Sequence, residues 1–250
     1  MKSVIVTGGG AGIGREIAHA FAADGWRVRI CGRTEATLQE TCATVSVEAP
    51  GAISWAVCDI TDEQAVTDLF ANAVADFGRI DAVVVNAGVP GTPAEFGDVS
   101  LDDFTTTLSI NVTGSFLTAR EAFRVMRSQQ NGGRILVNCS IAAQVPRPHT
   151  ASYAASKSAL AGLTRVLSID GRPHGINVTR VDIGNAATAL LDSFGSTTGA
   201  LQADGSVKEE PFLDAADAAR SFVYAASLPA SATVDELTIT ASGMPFLGRG

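Results

Sequence analysis

Tyr153 and Lys157 stand four residues apart in a run of helix formers that includes Ala151, Ala154, Ala155, Ala159 and Leu160. On a helix, such positions lie one turn apart on the same face, so a phenol and an ammonium point into the same space. A free phenol keeps its proton up to a pH of about 10. A neighbouring ammonium favours the phenolate and brings the phenol toward proton transfer. A surface helix carrying an amphipathic Tyr would show the same pair. What lies upstream separates the two readings.

Chemistry at Tyr153 requires elements that bring it a partner, and the N-terminus supplies a candidate. Ser3 to Thr7 is short, apolar and β-branched, as a buried strand is. The run Gly8-Gly9-Gly10-Ala11-Gly12-Ile13-Gly14 follows, and Arg15 to Ala23 has helical periodicity. A strand, a glycine-rich turn and a helix start form a phosphate site. Glycines let the backbone approach, and the helix N-terminus presents free N–H groups. The second strand, Trp26 to Cys31, has Arg27 and Arg29 alternating outward and ends at Gly32-Arg33-Thr34. A carboxylate that binds a ribose 2′-hydroxyl is absent at this end, and Arg33 is placed to accept a 2′-phosphate instead.

Downstream, a helix from Thr34 to Val47 leads to a third strand, Ile53 to Cys58, ending at Asp59 and Ile60. Thr61 to Gln64 reads as a capping box with Thr61 as N-cap. It opens a helix to Phe77. Ile80 to Val85 is a continuous apolar strand, the pattern of a sheet covered on both faces. Asn86-Ala87-Gly88 ends it. Ser100 starts a helical stretch that runs from Phe104 to Met126 and contains Asn111. Asn is a poor mid-helix residue, so a functional kink is expected there. Arg134 to Cys139 is the fifth strand, with Ser140 just beyond its end and thirteen residues before Tyr153. Ile176 to Val181 and Val234 to Thr240 are further strands, and Asp214 to Ser227 is a helix. The alternation predicts a doubly wound α/β Rossmann fold: one domain over 1–250, with a parallel seven-stranded sheet and helices on both faces. The segment from Gly184 to Pro211 is long and poor in apolar runs, and is expected to be a mobile substrate flap.

Composition narrows the partners. The chain has 250 residues, 46 % of them hydrophobic and 18 % charged, which suits a single large globular core. A net charge of −8 disfavours nucleic acid. The cysteines Cys31, Cys42, Cys58 and Cys139 show no zinc-ligand spacing, and free thiols fit a reducing compartment. No stretch is long enough to span a membrane, and no signal segment is evident. A cytoplasmic protein with no metal and no membrane partner is expected.

Together these residues resemble the short-chain dehydrogenase/reductase family in its single-domain form, over nearly the whole length. Thr7-Gly8-(x)3-Gly12-x-Gly14 is similar to the family's cofactor motif, Asn86-Ala87-Gly88 to its N-A-G motif, and Asn111, Ser140, Tyr153 and Lys157 to its catalytic set. The resemblance implies hydride transfer between a nicotinamide cofactor and a small-molecule carbonyl or alcohol. Tyr153 would exchange the proton. Lys157 would tune Tyr153 and bind the nicotinamide ribose. Ser140 would hold the substrate oxygen, and Asn111 would hold a water. Cofactor contacts would come from Thr7, Gly8, Gly10, Gly12, Ile13, Gly14, Arg33, Asp59, Ile60, Asn86, Ala87, Gly88, Tyr153, Lys157, Ile183, Gly184 and Thr188. Asp59 would sit at the adenine ring.

The chain departs from the family in reading Ile183-Gly184 where Pro-Gly is usual, and in its C-terminal tail from Ala241 to Gly250. With no acid at Gly32, NADP(H) is expected over NAD(H), which stays possible. An NAD(H)-dependent alcohol dehydrogenase and a non-catalytic nucleotide sensor are the alternatives. The expected pocket wall (Val89, Pro90, Ile141, Gln144, Val145, Pro146, Leu190, Leu191 and Phe194) is mostly apolar and without fixed charge. Family analogy suggests a homotetramer or homodimer formed through the helices of Asn111 and Tyr153. The apolar tail residues Met244 to Leu247 are expected at a subunit contact.

Overall fold

The computed structural model describes residues 1–45, 52–187 and 199–246. Its central sheet is built from β1 (Ser3–Thr7), β2 (Arg27–Gly32), β3 (Ile53–Val57), β4 (Ala82–Val85), β5 (Gly133–Asn138), β6 (Ile176–Ile183) and, after a small hairpin, β9 (Glu236–Ile239). The strands lie in the order β3-β2-β1-β4-β5-β6-β9, all parallel. Helices α1 (Gly12–Ala23), α2 (Glu35–Ala43), α3 (Glu63–Phe77), α4 (Leu101–Leu108), α5 (Ser115–Ser128), α6 (Ala151–Gly171) and α7 (Ala215–Ser227) form the crossovers.

Alternation along β1 shows how the sheet divides the core. Val4 and Val6 face one layer with Ile17, Phe21 and Phe222, so α1 and α7 cover that side. Ile5 faces the other with Phe70, Leu117, Met126 and Leu160, so α3, α5 and α6 cover that one. Both faces being dry explains the continuous apolar runs. The chain order reverses between β1 and β4, which opens a crevice at their C-terminal ends, where this architecture receives ligands.

Several local expectations are corrected. The N-cap of α3 is Asp62, whose carboxylate accepts from the backbone of Gln64 and Ala65; Thr61 instead donates to Asp59, and Gln64 reaches forward to Asp68. Arg29 does not reach solvent. It is buried over the Phe77 ring and donates to Ser54 and Asp76. At Asn111, where a kink is expected, a π-helical turn, Ser109–Gly114, separates α4 from α5. Within the expected flap, Gly184 to Pro211, the described residues carry a two-stranded antiparallel hairpin, β7 (Ala200–Leu201) and β8 (Val207–Lys208). The tail folds back on its own chain. Met244 is buried against Ile141 and Ala241, with the partly buried Phe246 and Leu213 packed on them, while Pro245 stays exposed. Val47, Thr188, Leu190, Leu191, Phe194 and Leu247 lie outside the described residues. Among those described, no helix is long and apolar enough to cross a membrane, and no cluster of His, Cys, Asp or Glu is placed to hold a metal.

Candidate functional site

The crevice over β1 and β4 deepens into a cavity of about 400 Å³. One end is the glycine turn. Gly8, Gly12, Ile13 and Gly14 line it, and α1 begins there with no side-chain cap and no acidic residue in its first turn. Its first N–H groups are therefore left for a ligand, and the local dipole favours an anion. The turn is closely packed: a Cβ on Gly14 would lie 2.1 Å from the Gly8 carbonyl oxygen, and Gly8 has φ +68°. Glycine is required at both.

Not every glycine or threonine of the motif faces the cavity. Gly10 is determined by packing, since a Cβ there would come 2.5 Å from Thr37 Oγ1 on α2. Thr7 is fully buried, and its hydroxyl donates to Val84 O and accepts from the N–H groups of Asn86 and Ala87. Both shape the turn from behind.

Gly32, Arg33, Asp59 and Ile60 line the next stretch. Asp59 Oδ1 accepts from the Thr61 N–H and hydroxyl. The Thr61 bonds, against the opposing effect of burial and helped by the Arg33 charge, hold its carboxyl below the usual range. Arg15 does not join Arg33. It donates to Gly10 O, Thr41 Oγ1 and Glu40, and so is committed to joining α1 and α2.

At the far end the cavity is lined by Asn86, Ala87, Gly88, Ser140, Tyr153, Lys157, Ile183 and Gly184. The strand ends place Asn86 and Ser140, and the first turns of α6 place the Tyr–Lys pair. Lys157 Nζ donates to Asn138 O at 3.0 Å and lies 5.5 Å from the Tyr153 ring centre. Ser140 Oγ accepts from the Ala142 N–H, which leaves its O–H to donate elsewhere. Gly184 donates its N–H to Ile239 O, and a Cβ there would crowd Met244 and Thr240 at 3.0 Å. The edge without the family proline is thus held by backbone pairing.

Asn111 lies behind the wall, not in it. Its Oδ1 accepts from Val89 N, and its Nδ2 donates to Val89 O and to Ser156 Oγ. Both amide hydrogens are committed, so the side chain does not hold a water by donation. It ties the 89 loop to α6, and the π-turn aims it there.

Asn138 escaped the sequence reading. Its Nδ2 donates to Asn86 Oδ1 at 2.7 Å, and Asn86 in turn donates to Thr7 O. One chain of bonds therefore joins the glycine turn to Lys157. A polar amide closing an apolar strand was the available signal. Arg147 and Asn185 were missed as well. Both line the cavity, contrary to the expected uncharged wall. Arg147 donates to Asn185 Oδ1 and pairs with the buried carboxylate of Glu210, which also accepts from Asn185. Val89, Ile141 and Val145 do line the cavity; Pro90, Gln144 and Pro146 do not. Gln144 donates to the buried Asp182.

Comparison with known proteins agrees with this geometry. A family model described as "short chain dehydrogenase" matches residues 2–199. A 2,5-dichloro-2,5-cyclohexadiene-1,4-diol dehydrogenase of Sphingobium indicum is 34 % identical over 190 residues, covering 76 % of this chain and 74 % of that protein. Among solved structures, a 3-ketoacyl-(acyl-carrier-protein) reductase of Brucella melitensis complexed with NADH superposes with TM-score 0.84 at 26 % identity, covering 96 % of both chains. The actinorhodin polyketide ketoreductase with NADPH superposes with TM-score 0.83 at 25 % identity, again covering 96 % of both.

Proposed function

The chain belongs to the short-chain dehydrogenase family, oxidoreductases that act on alcohol and carbonyl groups with a nicotinamide cofactor, and on that premise we propose that it transfers hydride between NADP(H) and a small carbonyl or alcohol. One observation supports this most: Ser140, Tyr153 and Lys157 line the same cavity as the uncapped start of α1. The uncapped N–H groups fit a pyrophosphate, and Arg33 and Asp59 fit the adenosine half. The bound cofactor would supply the hydride acceptor or donor.

The chain's own residues supply the rest. In reduction, the Tyr153 hydroxyl gives its proton to the carbonyl oxygen as that oxygen gains negative charge. The Ser140 O–H donates to the same oxygen and stabilises the developing charge. The Lys157 ammonium, fixed by Asn138 O, stabilises the charge left on the phenol oxygen. In oxidation the proton moves from the alcohol to Tyr153. Asn111 is a positioning residue that holds α6 and the 89 loop in register.

Arg147 and Asn185 add donors to a wall otherwise formed by Val89, Ile141 and Val145. A carbonyl substrate carrying a second oxygen suits this mixture. The apolar residues Phe116, Leu163, Val166 and Ile169, exposed on α5 and α6, support pairing of two copies through that face. The test of function is oxidation of NADPH against a panel of cyclic ketones, hydroxyketones and 3-oxoacyl thioesters. Turnover of at least one class that disappears in Tyr153→Phe is expected. No turnover in any class, with NADPH bound, would overturn the proposal in favour of a sensor.

A further inference from the structure

Arg147 and Asn185 line the cavity that holds Ser140 and Tyr153. They come from different parts of the chain. Arg147 sits on the loop between Ser140 and α6, where its carbonyl accepts from the Thr150 hydroxyl, and Asn185 follows Gly184 past the end of β6. A third segment supplies the counter-charge. Glu210, just past β8, has a side chain only 4 % exposed, and its carboxylate accepts from Arg147, Asn185 and Gln202. All three partners are donors, as suits an ionised carboxylate. On the carbonyl-reduction reading above, we propose that this cluster is a subsite for a neutral hydroxyl on the substrate, and that Glu210 excludes substrates with a carboxylate there.

The bonds made by Asn185 lead to the hydroxyl. Its Nδ2 donates to Glu210 Oε2 at 2.9 Å and to Pro211 O at 3.2 Å, so both amide hydrogens are committed. Its Oδ1 accepts from Arg147 at 2.6 Å. The reverse amide orientation would set the NH₂ group against the guanidinium and the oxygen against the carboxylate, so the neighbours fix it. An amide oxygen can accept two bonds, and Asn185 therefore brings an acceptor to the wall beside a cationic donor. A hydroxyl both donates and accepts, and so matches the two together. A second carbonyl oxygen only accepts and leaves Asn185 unused.

An arginine at a pocket wall ordinarily selects a carboxylate, through paired charge-assisted bonds. Here that charge is already balanced. A substrate carboxylate brought to Arg147 would meet Glu210 on the same guanidinium, and like charges sharing a site repel. Glu210 is not placed to turn aside. Asn185 and Gln202 hold it alongside Arg147, and the chain just beyond it is pinned where Leu213 N donates to Asn185 O and Ala187 N to Leu213 O. A hydroxyl carries no charge and meets no such repulsion.

The test loads the full chain with NADP⁺, which gives a ketone no hydride, and titrates three probes by calorimetry. These are 4-hydroxycyclohexanone, cyclohexanone and 4-oxocyclohexanecarboxylate, with the 3-substituted isomers in parallel. A hydroxyl in the subsite should tighten binding about 10-fold over cyclohexanone, and the carboxylates should bind more weakly than cyclohexanone. Glu210→Gln keeps a hydrogen-bond partner for Arg147 and removes the negative charge, so the carboxylate should gain at least about 10-fold relative to cyclohexanone. Arg147→Met alone would leave Glu210 buried and unpaired. The double variant Arg147→Met/Glu210→Gln avoids this, and in it the hydroxyl and carboxylate probes should both approach cyclohexanone. Variants that shift all three probes together point to a structural brace and overturn the proposal. So does a wild type that binds carboxylates more tightly than hydroxyls, or neither hydroxyl isomer more tightly than cyclohexanone, or a Glu210→Gln protein with no relative gain. Turnover with NADPH is read separately. The expected binding order without turnover keeps the subsite and sinks the reduction; turnover that needs Tyr153, with a flat binding order, keeps the reduction and sinks the subsite.

Discussion

On the proposed cofactor reading, Arg33 is the residue that selects between NADPH and NADH. Arg33 lines the cavity at the end of β2, next to Gly32, where a carboxylate would repel a 2′-phosphate. Arg15 adds nothing, because Glu40, Thr41 and Gly10 occupy its donors. A charge-assisted hydrogen bond contributes about 1.5–3 kcal/mol. Arg33 is exposed, so solvent screening puts the gain at the lower end. At about 1.4 kcal/mol per decade, the preference for NADPH over NADH is on the order of 10-fold. Titration of NADPH and NADH by fluorescence reads it directly. Arg33→Ala should remove the difference by weakening NADPH alone. Gly32→Asp should reverse it, and the site accepts a side chain: a Cβ there meets only Leu38, no closer than 3.5 Å, and φ is not positive. Salt should shrink the preference in the wild type, since an exposed charge pair is screened. Equal affinities in the wild type at low salt, or an Arg33→Ala protein that keeps its preference, would refute the reasoning.

Tyr153→Phe keeps the ring and removes the transferable proton, so kcat should fall by at least ~100-fold with NADPH affinity unchanged; a loss of only a few-fold would count against the proton role. Asn111→Ala leaves the Val89 N–H and carbonyl and Ser156 without their partner, and a cost of about 2 kcal/mol should show as a lower urea midpoint. Gly10→Ala sets a Cβ against Thr37 and should destabilise by about 1 kcal/mol with little change in cofactor affinity, the reverse of what a cofactor contact would give. The depressed carboxyl of Asp59 contributes stability that is present above its unfolded pKa, near 4, and lost as pH falls through its lower folded value. Acid unfolding of Asp59→Asn should lack that component; identical pH–stability curves would exclude it.

What the sequence determined by itself was local. Apolar runs and their punctuation located the seven strands of the sheet, because buried parallel strands leave a continuous apolar signature. The glycine turn and the four-residue spacing of Tyr153 and Lys157 are short-range facts, legible wherever a strand or helix can be read. The direction of long polar side chains was decided by the tertiary structure. Arg15 turns to Glu40, Arg147 to Glu210, and Arg29 over Phe77, each toward a partner that only the packed chain brings near. Helix-start chemistry was shared by adjacent Thr61 and Asp62, and packing of the turn chose Asp62. Asn111 stood out in sequence as a poor helix residue, but its three bonds exist only because α4 and α5 are offset by a π-turn against Val89 and Ser156. Each of these depends on contacts between residues far apart in the chain, which periodicity and spacing do not encode.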